Sequence, residues 1–253
     1  MFQKVSENAL YVFGFFGIIV MLFVLAVLFE RAAQKRNGIN EPIFNTRKIT
    51  MIGLFSAIAM ILHLADFPLP FAPVFYKMDF SELPILVGTF AFGPAAGVMM
   101  EFIKIVLKLF IKSTSTAFVG DLANFVVGCS FILPASVIYT FRKTKKNAVI
   151  ACAAGTLVMT IFGTAFNAIY LLPAFSGLYG LQMDEILAMG VTVNPLVKEG
   201  SIVSFVAACV APLNLLKGCS VSLITLLVYK PLSPILKSAH LMEGRRKQIR
   251  SKF

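Results

Sequence analysis

Charge is what this sequence has least of. Only 14% of its 253 residues are Asp, Glu, Lys or Arg, against about a quarter in a soluble globular chain. That is too little to cover a water-facing surface. Disorder is excluded as well, because it needs low hydrophobicity and high net charge, whereas 58% of this chain is apolar. Tryptophan is missing, and the two histidines, His63 and His240, are far apart. The four cysteines (Cys129, Cys152, Cys209 and Cys219) form no CxxC pair and sit inside apolar runs. They read as small buried hydrophobes, not as a disulfide frame or zinc site. No G-x-S-x-G or H-E-x-x-H occurs. The one P-loop-like spacing, Gly88 to Gly93, is followed by Pro94 in place of lysine, so ATP hydrolysis by this chain is not expected.

What remains is a chain with a mean hydropathy of +0.85, for which the bilayer is the natural solvent. Residues 9–29 carry no charge and suffice to cross about 30 Å of hydrocarbon. The run is longer than a signal core, Lys4 and Glu7 precede it, and no A-x-A site follows, so a retained helix is expected. Further spans are expected at 49–65, 82–92, 95–112, 119–141, 148–172 and 199–229. The segment 82–92 offers roughly 16 Å of helix before Gly93–Pro94 stops it. Ser81 is placed to cap it, with Pro84 in the first turn. Segment 148–172 is expected to end at Pro173, with a polar loop to 198 that holds a short helix near 184–189.

Lysine and arginine total 23 against 12 acids, a net charge of +11. On a soluble protein this excess would suggest nucleic acid. Here five basic residues fall in 30–48, four in 142–146 and seven in 230–253, the pattern of cytoplasmic ends facing anionic membrane lipid. No nucleic-acid partner is expected. Seven crossings follow, with the N-terminus outside and the C-terminus cytoplasmic, in a cell membrane.

Polar residues inside spans are expensive and usually mark a site. In A-P-L-N-L-L-K-G (211–218), Asn214 and Lys217 share one helix face, and Pro212 loosens the helix before them. They suit a polar ligand, and Lys217 suits a structural pairing with a carboxylate such as Glu199 equally well. Asn167, with Tyr170 one turn on, is a second candidate, although an interhelical hydrogen bond is the commoner use of a lone asparagine. Glu101, Lys104 and Lys108 share a face, as do Asp121 and Asn124; an internal ion-pair network is favoured over ligand contact there. His63 and Asp66 read as a hydrogen-bonded helix end. The five aromatics of 67–80 suit either the membrane interface or stacking on a flat ring, on a stretch kept extended by Pro68, Pro70 and Pro73.

Four segments carry a family resemblance: F-P-L-P-F-A-P-V-F-Y-K-M-D-F-S-E-L-P (67–84), F-V-G-D-L-A-N-F (118–125), F-N-A-I-Y (166–170) and P-L-N-L-L-K (212–217). Together they resemble the riboflavin-specific S component of energy-coupling factor (ECF) transporters. The resemblance covers about 46–232 and implies an all-α membrane protein with a six-helix core. Residues 1–45 would then be an extra N-terminal transmembrane helix and basic linker, a departure from the family, and 233–253 a basic cytoplasmic tail.

The resemblance further implies high-affinity capture of riboflavin or a related flavin as transported ligand, with no cofactor. Asn167, Asn214 and Lys217 would hold the polar edge of the ring. The loop Leu69, Phe71, Ala72, Pro73, Val74, Phe75 and Tyr76 would act as lid. Energy would come from a T component and two ABC-type ATPases, and Gly53 and Ala57 resemble the family's small-residue contact with that module. The alternatives are an S component for another small molecule and a polytopic membrane enzyme or scaffold.

Overall fold

A computed structural model describes residues 2–112, 114 and 118–229, with side chains from Phe16 onward. The basic tail 233–253 lies outside the described residues. Helix α1 (Phe2–Arg36) is followed by α2 (Thr46–Leu64), which Asn45 starts by accepting a hydrogen bond from the Lys48 amide at 2.8 Å. Two-residue strands β1 (Phe67–Pro68) and β2 (Lys77–Met78) pair antiparallel and close the loop that follows. The short α3 (Glu82–Phe92) stops where expected. Gly93 turns the chain at φ 101°, a conformation that favours glycine, and Pro94 opens α4 (Pro94–Ile111). Helix α5 is Val119–Phe141, and Thr144 caps the next by accepting from the Asn147 amide.

Helix α6 runs from Lys145 to Tyr179 and passes through Pro173 instead of ending there. The reason is a π turn at Asn167–Leu171, in which the Leu172 amide reaches back to the Asn167 carbonyl. The extra residue in that turn absorbs the missing N–H and the ring clash that would otherwise break the helix. The last long helix, α8 (Ile202–Tyr229), repeats the device: a π turn at Val206–Val210 precedes Pro212. Between them lies α7 (Met183–Val193), a longer form of the short helix expected in this loop. Five of these helices are long and apolar enough to cross a membrane unaided: α1, α2, α5, α6 and α8.

Ser81 does not cap α3 with its side chain. Its hydroxyl accepts from the buried Lys104 ammonium at 3.2 Å, because an ammonium out of water needs acceptors on every side. Of the four cysteines, Cys129, Cys152 and Cys209 are buried as expected, but Cys219 is exposed on α8.

The first helix is bolted to the rest. Ala26 and its neighbours pack with Ala95, Val98, Phe125 and Cys129 of α4 and α5. Glu30 holds the buried Lys48 at 3.0 Å and accepts from the Ala95 amide at 3.1 Å. A Cβ at Gly93 would lie 2.6 Å from the Glu30 carboxylate, so the turn into α4 has room for this acid only because residue 93 is glycine.

Candidate functional site

A cavity of about 510 Å³ opens among α5, α6, α7, α8 and the loop after α2, within the size range of ligand pockets. Five of the ten residues expected to meet the ligand line it: Phe75, Tyr76, Asn167, Asn214 and Lys217. Met159, Leu171, Phe175, Ile186 and Leu213 add apolar wall. The two π turns set the polar groups. Asn167 begins one, and Pro212, just past the other, ends two residues before Asn214.

Lys217 is not paired with Glu199. Its ammonium lies 3.0 Å from Asp79 and 2.8 Å from Glu82, groups brought from the loop and from α3. Burial alone would raise the Asp79 carboxyl, but the Lys217 ammonium and His63 beside it hold it well below the usual carboxylate range. His63 bonds to Asp79 at 3.3 Å, while Asp66 pairs with Lys77, so the expected helix-end contacts exist with other partners. Lys104 joins Glu82 to Glu101, and Lys108 holds Asp121 at 2.6 Å. The internal ion-pair network is therefore present, and Glu82, Lys108 and Asp121 bring it to the cavity wall. The Lys217 contact with Asp79 is a hydrogen bond, and that with Glu82 an ion pair.

Asn167 and Tyr76 form one unit. The Tyr76 hydroxyl donates to Asn167 Oδ1 at 2.8 Å, and Asn167 Nδ2 donates to the Gly163 carbonyl at 2.7 Å. Burial pushes the Tyr76 phenol above its ordinary value, so it stays protonated and donates. Asn214 differs: its Nδ2 is buried and has no hydrogen-bond partner among the described residues. It rests on Gly163, where a Cβ would lie 2.6 Å from it. A buried, unmatched amide donor on the wall of a cavity costs free energy unless a ligand accepts from it.

The remaining loop residues stand around the cavity and do not line it. Leu69 and Phe71 pack with buried Ala72 against Leu172, Ile186 and Phe205. The Pro73 carbonyl accepts from the Tyr76 amide, closing a turn, and Val74 is exposed at its tip. Asn194 ties this loop down: its Nδ2 donates to the Phe71 carbonyl at 3.1 Å and to the Ala208 carbonyl at 3.0 Å. Ala208 is four residues before Pro212 and lacks its usual donor for that reason. Gly53 and Ala57 lie far from the cavity, with Gly53 exposed on α2 and open space around it. Sequence reasoning missed Asp79, Glu82, Gly163 and Asn194. Its only signals were the acids of D-F-S-E (79–82) and the N-P step at 194–195.

The family model described as "ECF transporter, substrate-specific component" matches residues 47–229. The chain is 34% identical over 193 residues to the riboflavin transporter RibU of Staphylococcus aureus, covering 76% of this chain and 93% of that relative. It is 29% identical over 199 residues to the riboflavin transporter FmnP of Bacillus subtilis, covering 77% and 98%. The fold is similar, with a TM-score of 0.59 and 34% identity, to a structure described as the S component of a bacterial ECF transporter, covering 76% of this chain and 98% of that one.

Proposed function

We propose that this chain, which belongs to the family of ECF transporter substrate-specific components, is the riboflavin-binding membrane subunit of such a transporter. The observation that carries the reading is Asn214, with an unmatched amide, on the wall of a cavity that Lys217 also lines. An isoalloxazine ring has a carbonyl-bearing polar edge and an apolar dimethyl edge. Asn214 and Lys217 meet the first; Phe175, Leu213 and Ile186 meet the second. Asn167 acts mainly through Tyr76, holding the 69–76 segment over the cavity.

Titrating flavin fluorescence with the purified, flavin-free protein tests the reading. Quenching that saturates at one riboflavin per chain supports it. No response to riboflavin, with binding of another vitamin, would move the chain to a different S component.

Uptake against a gradient then depends on a separate T component and two ABC-type ATPases. The exposed Gly53 and half-buried Ala57 of α2 are the contact, because small residues let a partner helix approach closely. The substrate-binding unit is 46–232, with 1–45 as an added helix and 233–253 as a basic tail. The N-terminus is outside and the C-terminus cytoplasmic, on the charge asymmetry alone. In a variant whose native cysteines are replaced, an impermeant thiol reagent added outside should label Lys4→Cys and spare Thr144→Cys; the opposite pattern overturns the orientation.

A further inference from the structure

A second cavity, of about 450 Å³, lies between the first helix and the bundle. Its walls are Leu22 and Phe29 of α1, Val126, Leu133 and Val137 of α5, and Phe162 of α6. From Val126 to Ile138 it follows about 18 Å of helix, slightly more than one leaflet of a hydrocarbon core of about 30 Å. A helix with its side chains is 10–12 Å across, so 18 Å of it fills roughly 1,400 Å³, well beyond the cavity's volume of about 450 Å³. A polymethylene chain fits this slot where a second helix does not.

One end of this slot is strongly basic. Leu22, Phe29 and Arg36 are spaced by seven, so they form one stripe on α1 with the arginine at its end. Phe141 lies one turn beyond Ile138 on α5. The two helix ends are joined there: Arg36 sits 5.6 Å above the Phe141 ring, and Asn37 donates to the Thr140 carbonyl at 3.2 Å. Arg142, Lys145 and Lys146 follow immediately and are exposed, and the sequence has no acid from 122 to 183.

We propose that this slot is a binding site for one anionic phospholipid, its acyl chain between α1 and α5 and its phosphate at Arg36 and Arg142. A dry apolar groove ending in positive charge matches that amphiphile in both halves. A zwitterionic lipid offers the same chain without the net charge. The site exists only because the first helix is present, so it is a property of this chain and not of its six-helix core.

The absence of tryptophan provides a clean test. Phe29→Trp places a lone fluorophore in the slot, and Ile61→Trp places one on the outward face of α2, where residue 61 is exposed. Flavin-free protein is reconstituted with brominated-chain phosphatidylglycerol or phosphatidylcholine as quencher. The slot tryptophan should be quenched preferentially by phosphatidylglycerol, and the α2 tryptophan equally by both. Arg36→Gln and Arg142→Gln should each reduce the preference ~fivefold, with riboflavin affinity unchanged. If Phe29→Trp fails to fold, Val158→Trp probes the opposite wall. Equal quenching by the two lipids in the slot overturns the proposal. So does loss of the preference on adding millimolar glycerophosphoglycerol, which would mark a headgroup site needing no chain.

Discussion

Tyr76 and Asn167, 91 residues apart in sequence, share a buried hydrogen bond of 2.8 Å that fastens the loop after α2 to the π turn of α6. The loop and the wall of the cavity are therefore joined here. Replacing Tyr76 with Phe removes the donor and leaves Asn167 Oδ1 unmatched. A lost neutral hydrogen bond costs about 0.5–1.5 kcal/mol, so riboflavin affinity should fall by up to about tenfold. Stopped-flow measurement should show the loss as faster flavin release; an unchanged dissociation rate would separate the bond from lid closure.

Asn214→Ala and Lys217→Met should fail in different ways. The Asn214 amide donor has no partner among the described residues, so its loss should weaken riboflavin binding about tenfold and leave thermal stability nearly intact. Lys217→Met leaves Asp79 and Glu82 buried without their shared cation. Breaking a buried pair costs about 3–5 kcal/mol, so the melting temperature in detergent should fall even without flavin. Equal melting temperatures for the two variants would contradict the pairing.

Gly163→Ala should mimic Asn214→Ala. The added methyl must displace the Asn214 amide, which a Cβ would meet at 2.6 Å. Reduced affinity in fluorescence titration, with no further loss when Asn214→Ala is added, is the expected result.

Glu30→Gln should destabilise the protein, because Lys48 is buried beside it at 3.0 Å and would lose its counter-charge. About 3 kcal/mol is expected, seen as a lower denaturation temperature with flavin binding retained.

Gly53→Trp should abolish ATP-dependent uptake in vesicles that contain the coupling subunits, with binding unchanged, because a bulky side chain there holds a partner helix away. Without those subunits the chain should bind riboflavin and not concentrate it. Accumulation by the lone chain would make it a secondary transporter.

Where local chemistry decided the structure, the sequence was legible. The boundaries of α3 and α5 are those expected, because Gly93–Pro94 and the basic turn at 142–146 end those helices by rules that act within a few residues. Pro173 misled by the same local rule: the π turn that carries the helix through it depends on packing around Asn167. Within the site, Asn214 and Lys217 stood out because each is costly in hydrocarbon. Their surroundings did not. Asp79 lies 138 residues from Lys217, and no periodicity links positions that meet only after the bundle closes. Asn194 was hidden similarly, since its task is to satisfy a carbonyl that Pro212 orphans fourteen residues later in the chain.

The contact of Glu30 with Lys48, the Ala95 amide and the space above Gly93 also bears on how such a chain can change over generations. Residues 30, 48 and 93 act as one structural unit. A descendant that shed the first helix would leave Lys48 without its carboxylate partner, so a neutral residue at 48 would suit it better. Conversely, a six-helix ancestor could gain this helix stably only if it already carried glycine at the α3–α4 turn, since any side chain there would block the incoming carboxylate.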